Sequence, residues 1–256
     1  MLIDTHCHLD AFGDAQAEIL LSAQAAGVAR IVVPSVERGN FEEVCRLCER
    51  YPGCFPAYGI HPMYVDQASE DDLQALRDYL HDHAAVAVGE IGLDFYIEHY
   101  DQARQAHYFT EQLRLAREYN LPVLLHSRRS EDIVLKHLRR IKVCGGIAHA
   151  FGGSRSQAIE FIKLGFKLGM GGAMTYPRAT RLRELAATLP LESLVLETDA
   201  PDMRPAFIDT GLPNKPEYLQ RIAQTLAELR GVVPEEIART TTENVLSILP
   251  LLNRTA

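Results

Sequence analysis

The chain has 256 residues, of which 47% are apolar and 23% charged, and a formal net charge of −8. Such a balance fits a soluble globular chain with enough apolar surface for a full core, and it excludes a broad basic face for gripping duplex nucleic acid. No apolar run approaches the roughly 18 residues of a membrane helix, and the five cysteines, odd in number and scattered, suit a reducing cytoplasm better than a disulfide framework.

The chain opens "MLIDTHCHLD", without the basic and apolar regions of a secretory leader, so a cytoplasmic location is expected. Residues 1–4 read as a first strand, with His6 and His8 at its end. Side chains alternate along a strand, so positions 6 and 8 share a face and Cys7 takes the other. "DAQAEILLSAQAAG" carries Ile19, Leu20 and Ala23 on one helical stripe and ends at Gly27, a C′ position. The next strand is 29–34, followed by the helical "FEEVCRLCERY"; its Cys45-x-x-Cys48 pair lies mid-helix with no second pair, and no metal or redox role is expected of it. Strand 54–59 leads into "GIHP" with His61.

Ser69 in "SEDD" stands where a helix N-cap belongs, with acidic residues after it. Strand 85–90 ends at Glu90. A helix over "ARQAHYFTEQLRLAREYN" precedes strand 121–126, which ends at His126, and Ser130 in "SEDI" is a second N-cap position. Strand 143–149 ends at His149, helix "SRSQAIEFIKLG" and strand 166–171 follow, and strand 193–198 runs into Asp199. Helices over 215–230 and 235–248 close the chain.

Eight runs in 256 residues give units of 32, the size of a strand, a helix and two loops. Runs that are apolar throughout suit parallel strands buried on both faces. The expectation is therefore one domain over residues 1–256, a (β/α)8 TIM barrel; a doubly wound sheet is the alternative, but no Gly-x-Gly-x-x-Gly follows the first strand. In a parallel barrel all C-terminal strand ends face one rim. His6, His8 and Asp199 then make a two-histidine, one-carboxylate set, His126 and His149 make an imidazole pair, and Glu90 can offer one oxygen to each. That suffices for two divalent ions sharing a carboxylate.

Six ordered stretches, "IDTHCHLD", "GIHP", "VGEIGLDF", "PVLLHSR", "IAHAFGG" and "LVLETDAP", resemble the TatD family of metal-dependent hydrolases, and most of all its bacterial YjjV-type branch. The resemblance implies a TIM barrel with a binuclear site held by His6, His8, Asp199, His126 and His149, with Glu90 bridging where many amidohydrolases use a carboxylated lysine. It also implies phosphodiester hydrolysis, with DNA trimmed from a 3′ end.

On this reading Asp199 is both ligand and general base for an attacking water, Glu90 is the second catalytic carboxylate, and Asp94 orients a ligand histidine. Zn²⁺, Mn²⁺, Mg²⁺ or Fe²⁺ all suit mixed imidazole and carboxylate donors. Substrate contacts are expected from His61, Arg128, Tyr176 and Arg178, helped by Arg129, Arg155, Arg181 and the glycine-rich stretches after strands six and seven. Tyr64, Phe95 and Tyr96 are further positions at which a base could stack. The partner expected is DNA or another phosphodiester, with no membrane and no obligate protein partner. Two other readings remain open at this point: a hydrolase of esters or amides, including an aminoacyl-tRNA deacylase, and a non-enzymatic binding barrel, which a complete ligand set disfavours.

Overall fold

The computed structural model describes residues 1–253. Eight strands, β1 (Leu2–Asp4), β2 (Val28–Pro34), β3 (Cys54–Tyr58), β4 (Ala87–Asp94), β5 (Val123–Arg128), β6 (Gly146–Ala148), β7 (Phe166–Met170) and β8 (Leu194–Leu196), pair in sequence order, and every pair is parallel. The helices between them are α1 (Gln16–Ala25), α2 (Phe41–Arg50), α3 (Glu70–Asp82), α4 (Gln102–Glu118), α5 (Glu131–Arg140), α6 (Arg155–Lys163), α7 (Thr180–Thr188), α8 (Leu219–Arg230) and α9 (Pro234–Ile248). The chain is a (β/α)8 TIM barrel.

Local chemistry sets several helix ends. Gly27 takes φ +82 after α1, the left-handed region a C′ residue needs. Ser69 and Ser154 build capping boxes with Asp72 and Gln157. Ser130 occupies the N-cap position of α5, but its hydroxyl donates to Leu93 O at 2.7 Å instead of capping, which ties α5 to β4.

The core forms two layers. Ile3, Val32, Ala57, Leu124, Ile147 and Val195 fill the barrel interior, and Val245, Leu249 and Leu252 of the C-terminal segment plug its lower end. Alternate residues on the same strands, among them Val33, Tyr58, Val88, Leu125 and Leu168, pack outward against the helices. Inward parity continued past Leu124, Ile147 and Val195 brings His126, His149 and Glu197 to the upper mouth.

Two strands depart from that alternation. In β4, Ala87 faces the interior whereas Val88 and Ile91, three apart, both face outward, and the β4–β5 register shifts between them. The irregularity turns Glu90 to the axis, and the strand continues to Asp94 rather than ending at Glu90 as expected. Similarly, β1 stops at Asp4. His6 and His8 lie on an extended segment beyond it, and this segment completes the circle: Thr5 N donates to Leu196 O at 3.1 Å, Asp199 N to His6 O at 2.8 Å and His8 N to Ala200 O at 2.8 Å. The seam that closes the barrel therefore carries three expected ligands, His6 and His8 on the segment after β1 and Asp199 on the segment after β8.

Candidate metal centre

The mouth of the barrel opens into a cleft of about 980 Å³ with Glu90 on its floor. The Glu90 carboxylate is 2% exposed and its two oxygens face different partners. Oε2 lies 3.1 Å from His6 Nε2 and 3.8 Å from His8 Nε2, while Oε1 lies 2.9 Å from both His126 Nδ1 and His149 Nε2. Asp199 Oδ1 is 3.7 Å from His6 Nε2 and 3.6 Å from His8 Nε2. The backbone of Asp199 sits at φ +56, a conformation uncommon for a residue with a side chain. All six expected ligands thus converge. Cys7, fully buried, packs with the outer layer.

Do these groups suit a metal? The donor atoms of His6, His8 and Glu90 all lie within 4.8 Å of one another, as do those of His6, His149 and Asp199. Asp94 is buried and its Oδ2 sits 3.0 Å from His126 Nε2, so with an ion at the centre that nitrogen would keep the proton and Nδ1 would offer the lone pair. In the metal-free chain burial would lower the His126 pKa, but hydrogen bonds to Asp94 and Glu90 outweigh it and raise the value. The arrangement fits a divalent cation with nitrogen and oxygen ligands.

The electrostatics fit too. Burial alone would raise the Glu90 pKa, yet His149, His6 and His61 around it hold it well below the ordinary carboxylate value. Burial would lower His149, but Glu90 beside it outweighs this and holds it near 10. Burial, reinforced by His149, pulls His6 down to about 3, so it stays neutral and able to donate a lone pair. Asp199 is pushed up from the usual range, by burial first.

His61 takes a different part. Met63 N donates to its Nδ1 at 3.1 Å, which makes the neutral ring an Nε2–H tautomer; that proton points at Glu90 Oε1, 3.5 Å away. Burial lowers its pKa to about 4, so the ring is neutral. In that tautomer the ring offers a hydrogen-bond donor to the cleft, although the donor atoms of His61, Glu90 and His126 also lie within 4.8 Å of one another.

Glu197 did not stand out in the sequence, although its position two before Asp199 puts it on the same strand face. It is 1% exposed, accepts from Ala150 N, and stands 3.8 Å from His149 Nδ1. Burial raises its pKa to about 8. Asp4 carried no sequence signal of its own either. Its buried carboxylate accepts from Thr198 N at 2.9 Å and Thr198 Oγ1 at 2.6 Å, pinning the strand that delivers Asp199.

The expected substrate contacts sit differently around the rim. Arg128 lines the cleft, with Arg129 and Arg181. Tyr176 and Arg178 are not among its walls: the Tyr176 hydroxyl donates to Arg204 O at 3.0 Å, and Arg178 stacks over the Tyr176 ring at 5.3 Å. The Tyr176 hydroxyl ties the loop after β7 to the segment after β8, and Arg178 stays exposed beside that ring. Arg155 turns away to Thr188, and Phe95 stacks on Tyr100.

A profile of the family described as "TatD related DNase" matches residues 3–250. The chain belongs to the TatD family. It is 44% identical over 252 residues to the "uncharacterized metal-dependent hydrolase YjjV" of Escherichia coli K12, with 96% of each chain covered. It superposes on the crystal structure of that organism's YjjV, described as a TatD homolog, with TM-score 0.94 and 42% identity over 97% of this chain and 98% of the other. It is also 34% identical over 233 residues, 89% of each chain, to the "3'-5' ssDNA/RNA exonuclease TatD" of Cronobacter sakazakii. This TatD-family chain is accordingly a metal-dependent hydrolase, and its buried imidazole and carboxylate cluster is where such a metal would be held.

Proposed function

We propose that the protein is a binuclear metal-dependent phosphodiesterase that removes nucleotides from the 3′ end of single-stranded DNA. The observation that carries the binuclear reading is the split of Glu90, whose two oxygens face two separate imidazole groups. His6, His8 and Asp199 would hold one ion, His126 and His149 the other, and Glu90 would bridge them. When bound, such ions supply positive charge against the phosphoryl oxygens and lower the pKa of an attacking water.

The chain's own residues supply the rest. Asp199, raised in pKa by burial and open to the cleft, accepts the proton of the water. His61 donates its Nε2 proton to a substrate oxygen, and Asp94 holds His126 in register. The phosphate reading draws on the rim: Arg128, Arg129 and Arg181 line the cleft of a chain whose net charge is −8. The exonuclease activity named for the Cronobacter relative agrees with it.

The test compares 3′-labelled single-stranded DNA, RNA, a chromogenic phosphodiester and an aryl ester, each with Mg²⁺, Mn²⁺ or Zn²⁺. Release from the DNA 3′ end is expected, with Glu90→Ala and His126→Ala folded but inactive. Ester turnover without release from any phosphate compound would replace this reading with an ester or amide hydrolase. Wild-type turnover by either variant would rule out the two-ion centre.

A further inference from the structure

The wall of the cleft at the upper ends of β4 and β5 holds an arrangement that the donor cluster does not use. Arg128 and Arg129 are both exposed, both line the cleft, and neither guanidinium forms a salt bridge among the described residues. Both rest on one ring. The guanidinium carbon of Arg128 lies 3.7 Å from the centroid of Tyr96, and that of Arg129 lies 4.4 Å from it.

Consecutive residues of a strand point to opposite faces, so two adjacent side chains reach one ring only if the strand breaks between them. It does: β5 ends at Arg128, and Arg129 adopts φ +56, the left-handed region that residues with side chains seldom enter. A strained turn at a cleft wall calls for a reason beyond connection. Here its effect is to gather two cations on a tyrosine that is itself 49% exposed. The ring's π-system attracts each cation, and neither has a carboxylate partner within salt-bridge distance among the described residues, so their charge is available to an anion in the cleft.

The pair is also tied to the centre. The β4–β5 ladder sets Gly92 opposite His126 and Asp94 opposite Arg128, and Phe95 N donates to Arg128 O at 2.9 Å. Asp94 accepts Tyr96 N on one oxygen and faces His126 Nε2 with the other. One carboxylate therefore positions both an expected ligand and the support of the two arginines. Arg128 follows His126 by two residues, about 6–7 Å further along the strand.

We propose that Arg128 and Arg129, held over Tyr96, form a subsite for a phosphate group next to the one that is cleaved, so that the protein favours a chain of phosphodiesters over a lone diester. The inference rests on the phosphodiesterase reading above. Tyr96 then acts as the support of two guanidinium forks, and its ring is not free for a base. A planar fork binds a phosphate with two parallel hydrogen bonds, which lysine does not reproduce.

The experiment measures kcat and KM of the Mn²⁺-loaded protein on bis-para-nitrophenyl phosphate, a lone diester, and on a single-stranded thymidine oligonucleotide. In the Arg128→Ala/Arg129→Ala double variant, selectivity for the oligonucleotide over the dye should fall roughly tenfold or more, chiefly through KM. Tyr96→Leu should move it the same way, and lysine at both positions should recover only part. Anisotropy of a labelled oligonucleotide on the metal-free chain should show a salt dependence shallower by roughly 0.7 log units per log unit for each phosphate that the arginines no longer hold. Equal losses on both substrates, or unchanged selectivity with an unchanged salt slope, would overturn the subsite while leaving the phosphodiesterase reading in place. If the wild-type protein hydrolysed neither compound, that underlying reading would fall and the subsite with it.

Discussion

Asp94→Asn is the most direct test of how the centre is held. The Asp94 side chain is 1% exposed and lies 3.0 Å from His126 Nε2, while its other oxygen takes Tyr96 N at 2.8 Å. Burial would raise its pKa, but the hydrogen bond from His126 prevails and holds it below the ordinary value, so the group is an anion. An asparagine of nearly the same shape can keep the Tyr96 bond and loses the charge. His126 then has no anion to fix its Nε2–H tautomer, and its Nδ1 becomes a weaker donor.

Loss of such an outer partner typically costs 10–100-fold in metal affinity or activity, which is about 1.4–2.7 kcal/mol. The bond here is buried and charge-assisted, so the upper half of that range is expected. The assay is a metal titration by calorimetry, together with a thermal melt to show that the variant folds. The weakening should fall on one class of site, since His6, His8 and Asp199 do not touch Asp94. Equal affinity in wild type and Asp94→Asn, with both folded, would refute the idea that Asp94 fixes the His126 tautomer.

Two further outcomes follow from the same geometry. In Gly169→Ala the new Cβ would collide with the buried carboxylate of Glu197, which would have to shift toward the cleft. The clash should cost about 1–3 kcal/mol of stability and lower kcat/KM by displacing Glu197 from His149; a melt and a rate within error of wild type would show that Glu197 has slack there. The pH dependence of metal uptake has a definite sign. His149 in the metal-free chain keeps its proton up to about pH 10, despite burial, because Glu90 is beside it. A cation must displace that proton, so apparent affinity should rise with pH, about tenfold per unit for one proton, and level off above pH 10. Calorimetry at pH 8 in buffers of different ionisation enthalpy should read at least the one proton of His149 released, with any proton that the two carboxylates beside His126 hold on that ring adding to it, and no buffer dependence would contradict the assignment.

Much of this molecule was legible from the chain alone. A barrel needs only local signals repeated: apolar runs of strand length, amphipathic helices between them, and caps such as Ser69 and Gly27 that depend on neighbours within a few residues. Parallel strands then put every C-terminal end on one rim, which is why residues as distant as His6 and Asp199 can be grouped from sequence. Alternation between neighbours likewise separates Cys7 from His6 and His8, but which of the two sets faces the axis was settled only where β1 breaks its parity between the inward Ile3 and His6. What local signals could not carry was parity through an irregularity. Glu90 reaches the axis only because β4 breaks its alternation between Val88 and Ile91, and the tautomer of His61 depends on Met63 N. The rim was decided still later, by long-range packing: the Tyr176 hydroxyl was drawn to the segment after β8, whereas one turn at Arg129 gathered two cations on Tyr96. Side-chain identity and spacing determine which groups can meet at the mouth; the direction in which a loop side chain points is set by contacts between segments far apart in the chain, and only the folded structure contains them.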